Sequence, residues 1–131
     1  MGMTNVEEKP KIKKFTDLKA WQESRGLVKE TYQACAKFPA PEQYGLVSQM
    51  KRASVSIASN IAEGFRRDTM KDKLHFYIMA HGSLTELQNQ MILAHDLTFL
   101  TKDDYDGLIQ SSDKADALLN GLIRATKERI R

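Results

Sequence analysis

Cysteine is almost absent: Cys35 is alone among 131 residues. One thiol cannot close an internal disulfide, so the chain is no disulfide scaffold, and this usage suits a reducing, cytoplasmic setting. Cys35 falls in a helical pattern with Tyr32 and Ala36 and reads as a small buried thiol. No histidine or acid motif beside it points to a nucleophile. Proline and glycine are few, three and seven, which argues against a sandwich with many tight turns. No stretch approaches the ~18 consecutive apolar residues of a membrane span. Residues 1–14 carry no apolar run, so no secretory signal is expected. Val6 stands where a myristoylation motif starting at Gly2 needs Ser or Thr.

Motifs that carry chemistry are missing too. Gly64 and Gly82 are isolated, so there is no glycine-rich phosphate loop. HExxH, paired CxxC and GxSxG do not occur. His81 and His95 are fourteen residues apart, about 21 Å along a helix, too far to share a metal in one chain. His75 lies on another face. No Glu has a His three residues on, which the di-iron bundles require. The expectation is a non-enzymatic protein without cofactor or metal.

What is present is helical periodicity. Residues 1–14 read as a disordered basic tail, polar and rich in lysine around Pro10. Residues 15–131 read as one domain. Helix one is expected from Asp17 to Lys37, capped by Thr16, with Leu18, Trp21, Leu27, Val28, Tyr32, Cys35 and Ala36 on its buried face. Phe38-Pro39-Ala40-Pro41 ends it. Helix two is expected from Pro41 to Glu63, with Gly64 just beyond its end. Its stripe is Leu46, Met50, Ala53, Ile57 and Ile61, and small residues such as Ser54, Ala58 and Ala62 invite close helix approach. Helix three is expected from Met70 to Leu97, with Thr69 and Asp72 as a capping box and Leu74, Tyr77, Ile78, His81, Leu84, Leu87, Met91 and Ala94 inward. Helix four is expected from Lys102 onward behind Thr101 and Asp104. Short connections predict an all-α, antiparallel up-down-up-down four-helix bundle.

Two groups of polar residues are candidate sites. Gln49, Ser56, Asn60 and Glu63 share one edge of helix two, and Glu86 on helix three can join them. This reads as a buried polar network that fixes helix register, since unpaired buried amides are costly. The second group is basic. In an up-down bundle the amino-terminal tail, the turn between helices two and three, and the end of helix four share one end. That end holds twelve basic against seven acidic residues, whereas the opposite end holds two against five. The formal net charge is only +3, so its polarity matters more than its size. Arg66, Arg67, Lys71, Lys73 and Arg124 are the candidate phosphate contacts. Phe15 and Phe65 are the only aromatic residues near enough for base stacking.

Several runs resemble a known family. They are Phe15-Thr-Asp17-Leu18-Lys-Ala-Trp21-Gln22, Tyr44-Gly45-Leu46-Val-Ser-Gln49-Met-Lys-Arg52-Ala53, Ser56-Ile57-Ala-Ser-Asn60-Ile61-Ala62-Glu63-Gly64 and Ala80-His-Gly82-Ser83-Leu84-Thr-Glu86-Leu87. Together they resemble the four-helix bundle proteins of the 23S rRNA intervening sequence (S23) family over about residues 15–125. The resemblance implies an antiparallel four-helix bundle that assembles as a homopentamer, with no enzymatic activity attached. It also implies kinship in fold with the accessory variability determinants of diversity-generating retroelements, which partner a reverse transcriptase and bind nucleic acid. On that basis the partners expected are further copies of the chain, nucleic acid, or a protein such as a polymerase. Two departures stand out. Ala58 occupies a position where many members have proline, so helix two is expected to be straighter. Lys51 replaces a common arginine, keeping charge but losing the planar fork.

Overall fold

Four amphipathic segments joined by short connections can hide their apolar stripes only against one another. The computed structural model describes residues 11–130 and stacks them as four α-helices: α1 Lys19–Cys35, α2 Leu46–Phe65, α3 Met70–Asp96 and α4 Lys102–Glu128. Among the described residues there is no strand. α1 and α3 each pack on both α2 and α4, so the helices close a ring around one core. The paired residues count in opposite senses along neighbouring helices. Glu30 meets Ser111 while Lys37, just past α1, meets Asp104. Ser56 meets Ser83, and Phe65 meets Lys73. No helix among the described residues is long and apolar enough to cross a membrane. Residues 1–10 of the expected tail lie outside the described residues.

The core is built from Leu27, Met50, Ile57, Ile61, Leu84, Leu87, Met91 and Leu119, each at most 1% exposed. Burying a side chain of this size contributes about 1.5–3 kcal/mol relative to leaving it in water. Hydroxyls fill the narrow places. Ser24, Thr31 and Thr126 are buried, and each donates to a carbonyl one turn back, on Ala20, Leu27 and Leu122, at 2.7, 2.7 and 2.8 Å. Such back-bonded hydroxyls let helices approach without leaving a polar group unpaired.

Several boundaries differ from the periodicity. α1 starts at Lys19, with Leu18 at the N-cap position and no side-chain cap. Thr16 is therefore not the cap; its carbonyl accepts from Gln22 Nε2 at 2.9 Å. Asp17 ends a 3-10 turn, Phe15–Asp17, and its carboxylate accepts the backbone N–H groups of Lys13 and Lys14, both at 3.0 Å. Pro41 belongs to a second 3-10 turn, Ala40–Tyr44, and α2 starts five residues later at Leu46. Gly64 lies inside α2, buried against Tyr77. Tyr32, Ala36 and Ile78, expected inside, are exposed, while Ala80 takes an inward position on α3.

The expected caps of the last two helices are present. Thr69 accepts from the Asp72 N–H and Thr101 from the Asp104 N–H, both at 3.1 Å. The end of α3 carries an interlocked pair of turn bonds: Phe99 N–H reaches the Ala94 carbonyl at 2.9 Å, and Thr98 N–H reaches that of His95 at 3.0 Å. This Schellman arrangement puts Thr98 at φ 67°, a left-handed position that usually belongs to glycine.

Candidate functional site

The end of the molecule where α2 stops and α3 starts gathers the basic residues. Three clefts mark it. The first, of about 400 Å³, is lined by Lys13, Lys14, Phe15, Thr16, Phe65 and Arg66. The second, about 310 Å³, runs past Phe65, Lys73, Tyr77 and Leu122 to Arg129. The third lies between Lys71, Asp72 and Arg129. The chain entering α1, the α2–α3 turn and the end of α4 thus meet here: Phe65 lines the first two clefts, and Arg129 the second and third.

The five candidate phosphate contacts fare differently. Arg66 and Lys71 are exposed at the turn. Arg67 is also exposed but already engaged: it pairs with Glu63 at 2.9 Å and lies 4.4 Å from the centre of the Phe76 ring. Lys73 is half-buried and donates to the Phe65 carbonyl, with its ammonium 5.2 Å from the centre of the Phe65 ring. It closes off the carbonyl end of α2, so its charge is committed to the fold. Arg124 is exposed on α4, about 140° round the helix from Arg129. It therefore looks away from the clefts that Arg129 lines.

Lys13, Lys14 and Arg129 belong with Arg66 and Lys71. Their contribution was visible only as part of the charge surplus, because residues 13 and 14 read as tail. The Asp17 carboxylate ties them down, and the two backbone N–H groups that it accepts hold its pKa below the usual 3.8. Among the described residues, Lys13, Lys14, Arg66, Lys71, Arg124 and Arg129 form no ion pair within 4.0 Å. At the opposite end both bases are paired: Lys37 with Asp104 at 3.0 Å and Lys102 with Asp106 at 2.7 Å.

The expected polar network is only partly assembled. Asn60 Nδ2 donates to Ser56 Oγ and to its carbonyl, at 3.1 and 2.9 Å, and Ser56 meets Ser83 at 2.9 Å. Gln49, Glu63 and Glu86 are exposed and stand apart from that chain. Glu63 turns to Arg67, and Glu86 accepts from Gln90 Nε2 at 3.2 Å. Ser83, absent from the expected set, bridges the helices. Gln90 is buried, and its Oε1 has no partner among the described residues.

The histidines serve packing and pairing. His81 Nε2 lies 3.0 Å from Asp116 on α4, and the His95 ring stacks on Tyr105 with centroids 4.2 Å apart. Among the described residues, no three His, Cys, Asp or Glu side chains cluster so as to hold a metal. Cys35 is fully buried, and burial pushes its thiol up to about 11.

A different surface was missed in the periodicity. The outer side of α3, with its C-cap residue Leu97, exposes Ile78, Met79, Ile92, Leu93 and Leu97, each 44–55% accessible. A helix with apolar residues on both sides has more to cover than its own bundle supplies. The signal was present in the sequence as adjacent apolar pairs, Ile78-Met79 and Ile92-Leu93, which cannot both face the core; in the structure neither member does.

Comparison with known proteins agrees with this architecture. No curated protein matches the chain. A crystal structure of a protein of unknown function from the S23 ribosomal protein family of Bacteroides thetaiotaomicron VPI-5482 is similar, with a TM-score of 0.72 and 18% identity. The match covers 79% of this chain and 97% of the other; at that identity it bears on the fold alone. The family model described as 23S rRNA-intervening sequence protein matches residues 16–121. The chain belongs to that family of 23S rRNA-intervening sequence proteins.

Proposed function

We propose that this chain is an antiparallel up-down-up-down bundle that assembles with further copies of itself, as a pentamer, and binds nucleic acid, RNA or DNA, through its repeated basic ends. It has no enzymatic activity of its own in this reading, and a cytoplasmic setting suits its single buried thiol. The observation that carries the proposal is the asymmetry of pairing. The bases at one end are held by Asp104 and Asp106, whereas Arg66, Lys71, Lys13, Lys14 and Arg129 at the other are exposed and unpaired among the described residues. Unpaired cations shed little when they meet a phosphate, and each counterion released adds to affinity. The pentamer rests on the family resemblance. The exposed apolar side of α3 supports self-assembly of some kind.

A titration of labelled RNA and DNA across salt concentrations tests this. Affinity is expected to fall steeply and linearly in log–log form. Arg66→Glu should weaken binding and flatten that slope. It is a cleaner probe than Arg67→Glu, because Arg67 also holds Glu63 and Phe76. Binding untouched by salt and by Arg66→Glu would sink the reading.

The second reading is an adaptor that organises a polymerase such as a reverse transcriptase. The α3 apolar surface favours it, since it offers area to a protein and nothing to a phosphate. Affinity for such a partner would be nearly independent of salt.

A further inference from the structure

The cleft between the segment entering α1 and the end of α2 differs from the rest of the basic end because it is also aromatic. Phe15 and Phe65 stand on its walls beside Lys13, Lys14 and Arg66. We infer that this cleft takes one unpaired nucleobase against its aromatic walls, with the flanking phosphate on Lys13, Lys14 and Arg66. The nucleic acid this protein prefers is then single-stranded. This rests on the nucleic-acid reading above and narrows it.

The walls are held in place. Phe15 is set edge-on to Trp21, with centroids 5.3 Å apart at 73°. Phe65 separates this cleft from its neighbour, and the Lys73 ammonium sits 5.2 Å from its ring centre. The backbone of Lys13 and Lys14 is tied to Asp17 at 3.0 Å. The backbone that carries the two lysines and the aromatic rings are therefore positioned before a ligand arrives, which lowers the ordering cost of binding. A volume of about 400 Å³ lies at the small end of ligand clefts, room for a base rather than for a duplex. Aromatic walls add nothing to a duplex, whose base faces are stacked on one another inside the helix. They add a stacking partner to an unpaired base, and cations along the same cleft then follow the strand. The lysines and arginine alone would bind either form by charge.

The test uses the full chain and labelled strands of about ten nucleotides, within the usual span of single-strand sites. Three probes are compared: a thymidine single strand, a duplex of equal length, and an abasic single strand that keeps every phosphate. The thymidine strand is expected to bind about tenfold more tightly than the abasic strand, the loss typical of one stacked base. It should also bind more tightly than the duplex. Trp21 is the only tryptophan and touches Phe15, so its emission should change with the thymidine strand and not with the abasic one. Phe15→Leu with Phe65→Leu keeps apolar bulk and removes the flat faces. It should level the thymidine and abasic affinities without changing the salt slope. Equal binding of all three probes to the unmodified protein would overturn the cleft inference while leaving phosphate binding intact. Inorganic polyphosphate displacing the thymidine strand as readily as the abasic one would likewise make the cleft a phosphate site only. If no probe binds, both this inference and the nucleic-acid reading fail.

Discussion

Gly64 shows how one residue can carry two opposite expectations. As an interior helix glycine it should gain about 1 kcal/mol on replacement by alanine. A Cβ there, however, would lie 2.7 Å from Tyr77 Cε1 and 2.9 Å from Cδ1, and Tyr77 is only 2% exposed. The ring has nowhere to go, so Gly64→Ala is expected to destabilise by about 1–3 kcal/mol in urea unfolding. Gly107, also helical, has open space where a Cβ would stand, with no atom within 4 Å, and Gly107→Ala should stabilise by about 0.5–1 kcal/mol. Cys35 sets an alkaline limit. Burial raises its thiol from 9.0 to about 11, and that of the Tyr77 phenol from 10.0 to about 12. Between these values the unfolded chain has released protons that the folded chain still holds, so stability falls as pH rises. The urea midpoint should drop from about pH 9 upward, and Cys35→Ala should remove part of that drop.

At the scale of the element, the informative piece is the turn after α3. Its two bonds, from Phe99 to Ala94 and from Thr98 to His95, require one left-handed residue, and the chain places Thr98 there at φ 67°. A β-branched residue suffers a steric penalty in that conformation that glycine escapes. Thr98→Gly is expected to raise stability by about 1 kcal/mol in thermal or urea unfolding, with no change in the helices by circular dichroism. The turn is worth keeping because Phe99, brought back over the helix end, packs on Phe38 with ring centroids 5.7 Å apart. α2 and α3 are bonded directly across their seam by Ser56 and Ser83, and Gly64 packs against Tyr77. That seam is short of the five-residue network expected, because Gln49, Glu63 and Glu86 have water or nearer partners to satisfy them.

Over the whole molecule, two surfaces stand out: a basic end and an apolar flank. If the flank is covered by further copies, charging it should dissociate the assembly and leave the monomer folded. Ile78→Lys with Ile92→Lys is expected to lower the solution mass by light scattering, without lowering helicity. Both side chains are about half exposed, so the monomer loses little core. Unchanged mass would move the interface elsewhere. If copies do assemble, each adds a cleft with Lys13, Lys14 and Arg66. Linked sites of this kind raise overall affinity without any new contact. A variant that dissociates should then bind long strands more weakly while still binding short ones.

The amino-acid sequence by itself determined four helices, their caps at Thr69 and Thr101, and most of the core, because 3.6-residue periodicity and N-cap chemistry are local properties. It also determined that charge would segregate, since short connections leave few topologies. Tertiary structure alone decided which charges remain available. Lys73 faces the Phe65 carbonyl at the end of α2, and Arg67 reaches the Phe76 ring on α3, both across the α2–α3 turn. Lys13 and Lys14 join the site through a local contact, a carboxylate three and four residues on, whose turn periodicity could not register. The cleft with Phe15 and Phe65 on its walls exists only because two segments some fifty residues apart come together.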